Sequence, residues 1–85
     1  MASKTSQSSA KADLVINALG QKCPMPILTL KDNLESIRVG QTAELIGDDI
    51  GSKTDVPAFC KRTGQELLKT WEDNGTLHFL IKKLK

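Results

Sequence analysis

The chain has 85 residues, 39% hydrophobic and 26% charged, a balance that excludes a disordered polymer. It holds no apolar run near the roughly 20 residues of a membrane span, and a domain this short buries only about 60% of its unfolded surface, which excludes a deep enclosed active site. The formal charge of +2 comes from Lys4 and Lys11, since residues 12–85 hold ten basic and ten acidic side chains; the clustered basic footprint of a nucleic-acid binder is missing, and no direct nucleic-acid role or membrane association is expected.

Residues 1–12 are rich in Ser, Ala and Lys, without the hydrophobic segment of a secretory signal, and are expected to form a flexible N-terminal tail on a cytoplasmic protein. One domain is expected over residues 13–85. Residues 13–18 alternate, with Leu14, Ile16 and Ala18 on one face, the pattern of a half-buried strand. After Gly20 and Cys23, Ile27, Leu30, Leu34 and Ile37 recur at helical spacing, which predicts a helix over about residues 24–37. A second strand is predicted over residues 41–46 after Gly40, followed by turn chemistry at Gly47-Asp48-Asp49-Ile50-Gly51. Ser52 and Thr54 are candidate caps of a second helix carrying Val56, Phe59, Cys60 and Thr63, with Asp55 at its positive end and Gly64 as its stop. Pro57 is expected within the first turn of that helix, or else to bend it. Two last strands, over residues 67–72 and 76–84, flank Asp73-Asn74-Gly75, a strong hairpin signal. The order βαβαββ predicts an α+β two-layer sandwich, with two helices on one face of a four-stranded mixed sheet.

The chemistry concentrates in Leu19-Gly20-Gln21-Lys22-Cys23-Pro24-Met25-Pro26, where a cysteine sits between a strand and an amphipathic helix. Pro24 and Pro26 fall where a missing N–H costs nothing, so they are expected to fix the helix start with Cys23 as its N-cap. There the helix dipole, equivalent to about half an elementary charge, and the Lys22 cation both favour thiolate over thiol. The prolines leave the N–H groups of Met25 and Ile27 as the donors expected to approach the sulfur. A cysteine before a helix can also be a mere small apolar residue, but the second proline suggests a device for holding a sulfur at a rigid tip. No histidine base is close in sequence, which counts against a self-contained cysteine hydrolase. Cys23 and Cys60 are too far apart for a CxxC pair, and with His78 as the sole histidine no metal site is expected.

Together with Asp48-Asp49 and Asp55-Val56-Pro57-Ala58-Phe59-Cys60, this motif resembles the TusA family of sulfur carriers, also called SirA-like, over about residues 13–85. Cys-Pro-x-Pro at a helix start is that family's hallmark, with Met25 in its variable position. The resemblance implies a fold similar to the C-terminal domain of translation initiation factor three. It also implies that Cys23 accepts sulfur from a cysteine desulfurase or a rhodanese as a covalent persulfide, without a cofactor, and relays it to a partner cysteine. Destinations across the family include tRNA thiolation, molybdenum cofactor assembly and sulfur oxidation. The alternative is a regulatory or adaptor domain with Cys23 as a redox-sensing thiol. An RNA-binding module rests on fold analogy alone.

The other polar and reactive residues have plainer readings. Cys60 lies on the apolar face of the second helix, as a core thiol would, with a resolving role as the alternative. Lys22, Pro24, Met25 and Pro26 shape the site or meet a partner; Asp48 and Asp49 are either turn residues or a docking pair for a basic partner. Lys61 and Arg62 suit a helix C-terminus, and Lys82, Lys83 and Lys85 read as solvated strand-end charges. His78 is expected to be an exposed cross-strand residue, and Trp71 to serve core or sheet packing.

Overall fold

The computed structural model describes residues 12–22 and 24–85, so the expected tail, except Ala12, lies outside the described residues, as does Cys23. Strand β1 (Leu14–Ala18), helix α1 (Met25–Leu34), strand β2 (Thr42–Gly47), helix α2 (Ser52–Thr63) and strands β3 (Glu66–Asp73) and β4 (Thr76–Lys82) follow in the predicted order. The sheet order is β1-β2-β4-β3. Parallel pairing of β1 with β2 requires a crossover, which α1 supplies, while β4 pairs antiparallel with both β2 and β3.

Register turns strand alternation into a core. Ile16, Leu45 and Phe79 form one row across the sheet and Leu14, Ala43 and Ile81 another. Leu30 and Leu34 of α1 and Val56, Phe59 and Cys60 of α2 pack on this face. Each large side chain buried there contributes about 1.5–3 kcal/mol before the entropy of ordering it is subtracted. The β3–β4 hairpin turns at Asn74 and Gly75, with φ of 51° and 80°, the positive values a two-residue turn needs to match strand twist. One feature of β3 had no sequence signal: its pairing with β4 shifts between Leu67 and Lys69, so Leu68 bulges out, Leu67 faces the core and Lys69 faces away.

The ends of both helices depart from expectation. Helix α1 stops at Leu34 rather than Ile37, because Ser36 and Ile37 turn back to the carbonyls of Asn33 and Leu34; Ile37 still packs on the core from outside the helix. The Lys83 ammonium donates to the carbonyls of Leu34 and Ile37 at 2.7 and 2.8 Å. It is therefore not a solvated strand-end charge, but a cation at the negative end of α1. Helix α2 begins at Ser52 with Gly51 as its cap, so neither Ser52 nor Thr54 caps it, and Pro57 falls past the first turn, where the Lys53 carbonyl loses its helical donor. Gly64 ends α2 as predicted: its φ of +81° is left-handed, and a Cβ there would come within 2.9 Å of the Lys85 side chain.

The helix-free face corrects the reading of His78. Its imidazole is 17% exposed, with Nδ1 at 2.9 Å from Oε2 of Glu44, whose side chain is 4% exposed. The two sit on neighbouring strands, two residues off register, and Trp71 stacks on His78 with ring centres 4.8 Å apart. A carboxylate this buried must be paired, and a diagonal cross-strand partner supplies the pair. Trp71 thus serves sheet packing, as expected. No described helix is long and apolar enough to cross a membrane.

Candidate functional site

Because β1 and β2 are parallel and in register from Ala18 to Gly47, the β1–α1 and β2–α2 connections leave the sheet at the same end. Residues 19–22 form a short loop whose first three amides have acceptors. The Asn17 side chain accepts from the Leu19 N–H at 2.9 Å, Asp48 Oδ1 from the Gly20 N–H at 3.1 Å, and the Ala18 carbonyl from the Gln21 N–H at 3.2 Å. Gly20, with φ +81°, supplies the left-handed residue of that turn. The Gln21 side chain then accepts from the Thr29 hydroxyl at 2.9 Å, tying the loop to α1.

Helix α1 opens on Pro24, which is its cap, with Met25 first and Pro26 second in the helix. The predicted cap was Cys23, one residue earlier; the cap moves because the Pro24 carbonyl accepts from both Ile27 and Leu28 at 3.1 Å. The Met25 N–H donates to the Lys22 carbonyl at 2.8 Å. The amides of Met25 and Ile27, expected to point at a sulfur, are therefore already engaged by backbone carbonyls. What α1 does offer is an N-terminus with no side-chain cap and no acidic residue in its first turn. Pro26 is buried, whereas Lys22, Pro24 and Met25 are exposed.

The acidic pair divides. Asp48 is exposed and reaches the β1–α1 loop, while half-buried Asp49 folds onto its own turn, its Oδ1 accepting from the Gly51 N–H at 3.3 Å and its carbonyl from Ser52 at 2.9 Å. Sequence reasoning missed the apolar flank of this end: Leu19 and Leu28, each about half exposed, and Ile50, 74% exposed, accompany Met25. The signals were available, since Leu28 falls off the Ile27, Leu30, Leu34 stripe and Ile50 interrupts a polar turn.

Cys60 is 2% exposed among core residues, and burial pushes its thiol up from 9.0 to about 11. At neutral pH it is a protonated, inert core thiol, as its position in the sequence predicts. A cleft of about 390 Å³ opens between α2 and the β3–β4 hairpin, spanned by the Lys53–Glu72 ion pair at 3.2 Å. Its described lining includes none of Lys22, Pro24, Met25, Pro26, Asp48 or Asp49, so it is a separate feature from this site.

Comparison with known proteins agrees with the family resemblance. Residues 14–83 match the family model described as sulfurtransferase TusA. The sulfur carrier protein TusA of Allochromatium vinosum is 45% identical over 74 residues, covering 87% of this chain and 97% of that protein. The sulfur carrier protein TusA of Pseudomonas putida strain GB-1 is 35% identical over 71 residues, 84% of this chain and 89% of that protein. Among solved structures, a SirA-like protein from Desulfitobacterium hafniense superposes with a TM-score of 0.68 at 27% identity, covering 85% of this chain and 99% of the other.

Proposed function

The chain belongs to the TusA sulfurtransferase family, and from that premise we propose that it is a sulfur carrier acting as a persulfide relay. Cys23 accepts sulfane sulfur from a donor protein, a cysteine desulfurase or a rhodanese, holds it as Cys23-S-SH, and yields it to a cysteine of an acceptor protein. The observation that carries this reading is the bracing on either side of residue 23. The loop amides at 19, 20 and 21 all have acceptors, and α1 starts on Pro24 and Pro26 with no carboxylate in its first turn. An uncapped positive helix end, with Lys22 beside it in sequence, favours an anionic sulfur. Pro24, Met25, Pro26, Asp48 and Asp49 shape the site or meet the partner.

In loading, the Cys23 thiolate attacks the outer sulfur of the donor persulfide. The new S–S bond forms as the donor's breaks, the donor cysteine leaves as a thiolate, and the proton stays on the transferred sulfur. Unloading repeats the exchange, with an acceptor thiolate as the attacker and Cys23 as the leaving group. The exchange is redox-neutral and needs no cofactor. A moderately acidic thiol suits both roles, since nucleophilicity falls with pKa while leaving ability rises. The protein is then a sulfurtransferase component in the cytoplasm rather than a stand-alone enzyme, and the acceptor decides whether the sulfur goes to tRNA thiolation, molybdenum cofactor assembly or sulfur oxidation.

The test is intact mass after incubation with a desulfurase plus cysteine, or a rhodanese plus thiosulfate. The reading expects one added sulfur, removed by reductant, in wild type and Cys60→Ser and none in Cys23→Ser. If no form gains sulfur from either donor while Cys23 oxidises readily, the redox-sensing reading replaces it.

A further inference from the structure

Asp48 is the one described residue outside the β1–α1 unit whose side chain bonds a backbone amide of residues 19–22. The other acceptors of that loop come from within the unit: Asn17, Ala18 and, for the Met25 amide, Lys22. We propose that Asp48 is a positioning residue for sulfur transfer, acting as a neutral-or-charged acceptor that fixes Gly20, and is not a docking charge. The proposal rests on the persulfide reading above and sharpens it, since sequence alone left Asp48 as either a turn residue or an electrostatic lure for a basic partner.

The geometry favours the acceptor role. Asp48 follows Gly47, the last residue of β2 paired with β1, and its carboxylate crosses to Gly20 at 3.1 Å. Gly20 has a left-handed φ of +81°, and beyond its chain neighbours no atom lies within 4 Å of where its Cβ would be, so no contact on that side holds it. Removing that bond cuts a side-chain tie between this loop and the β2–α2 connection, which frees Gly20 to shift. Asp49, by contrast, accepts from the Gly51 N–H in its own turn.

The two roles separate when a donor with no protein surface is used. The probe is glutathione persulfide, whose outer sulfur passes to the Cys23 thiolate as glutathione leaves as a thiolate; loading is followed by intact mass in Asp48→Asn, which keeps a side-chain acceptor, and Asp48→Ala, which keeps none. Amide exchange at Gly20 is measured alongside, and thermal melts establish that both variants are folded. The expected result is that Asp48→Ala loads about three- to tenfold more slowly and its Gly20 amide exchanges about tenfold faster. Asp48→Asn stays within about twofold of wild type on both readouts. If the two variants change together in either direction, or if both load normally from glutathione persulfide but fail with a protein donor, charge is what matters and the positioning role is overturned. Sulfur gain by Cys23→Ser would instead overturn the persulfide reading, leaving the Gly20 exchange result to judge the role of Asp48 separately.

Discussion

Helices α1 and α2 start from the same end of the sheet, one strand apart, and their beginnings are built differently. Neither has a side-chain cap, but α2 carries Asp55 in its first turn and buries Ser52, whereas α1 has two prolines in its opening residues and no acid in its first turn. The positive end of α2 is thus supplied with an anion from its own sequence. That of α1 is left for an anion from elsewhere, and the residue before its cap is Cys23. The lesson is that a helix start becomes a site through what is withheld from it as much as through what is placed there. The same contrast separates the thiols, since Cys60 sits on α2 where burial keeps it protonated.

The comparison can be broken by exchanging the features. The largest effect is expected from Phe59→Ala on the buried face of α2, where 3% exposure within the core implies a loss of about 3–5 kcal/mol in denaturant unfolding. Sulfur loading at low temperature, measured on the folded fraction, should be unchanged if α2 is purely structural. Next is the pH dependence set by Cys60. Its thiol stays protonated in the folded state up to about 11 but ionises near 9.0 when unfolded. Between those values the unfolded state binds fewer protons, so stability falls as pH rises, by at most about 1.4 kcal/mol per unit. Cys60→Ala should flatten that alkaline limb in pH-dependent unfolding, and an unchanged slope would contradict the burial account. The smallest effects come from swapping charge between the helix starts. Met25→Glu gives α1 an acid at an exposed first position and should stabilise it by about 0.5 kcal/mol while slowing Cys23 loading several-fold; Asp55→Asn should cost α2 about as much and leave loading untouched.

Much of this was legible in the sequence because it is local. Asn74-Gly75 fixed a turn, Gly64 a helix stop, and alternation in β1 the buried face. The features that escaped depend on residues distant in sequence. The Glu44–His78 pair joins residues 34 apart through a diagonal across two strands, and Lys83 reaches α1 from beyond β4, 49 residues from Leu34. The bulge at Leu68 left no mark in a run that alternates poorly. At the site, the motif placed the cap one residue early, because pattern cannot tell which of two adjacent residues offers the first helical carbonyl. Asp48 was visible as a carboxylate in a turn, but its contact with Gly20 follows from the parallel register of β1 and β2, which no local pattern encodes.

The most direct measurement is tandem mass spectrometry of the wild-type protein loaded by a desulfurase with cysteine, with every thiol and persulfide trapped by alkylation before digestion. The account predicts the extra sulfur on the peptide containing Cys23 and unmodified thiol at Cys60. Sulfur found on Cys60, or Cys23 recovered only as oxygen-bearing sulfenic acid, would contradict it.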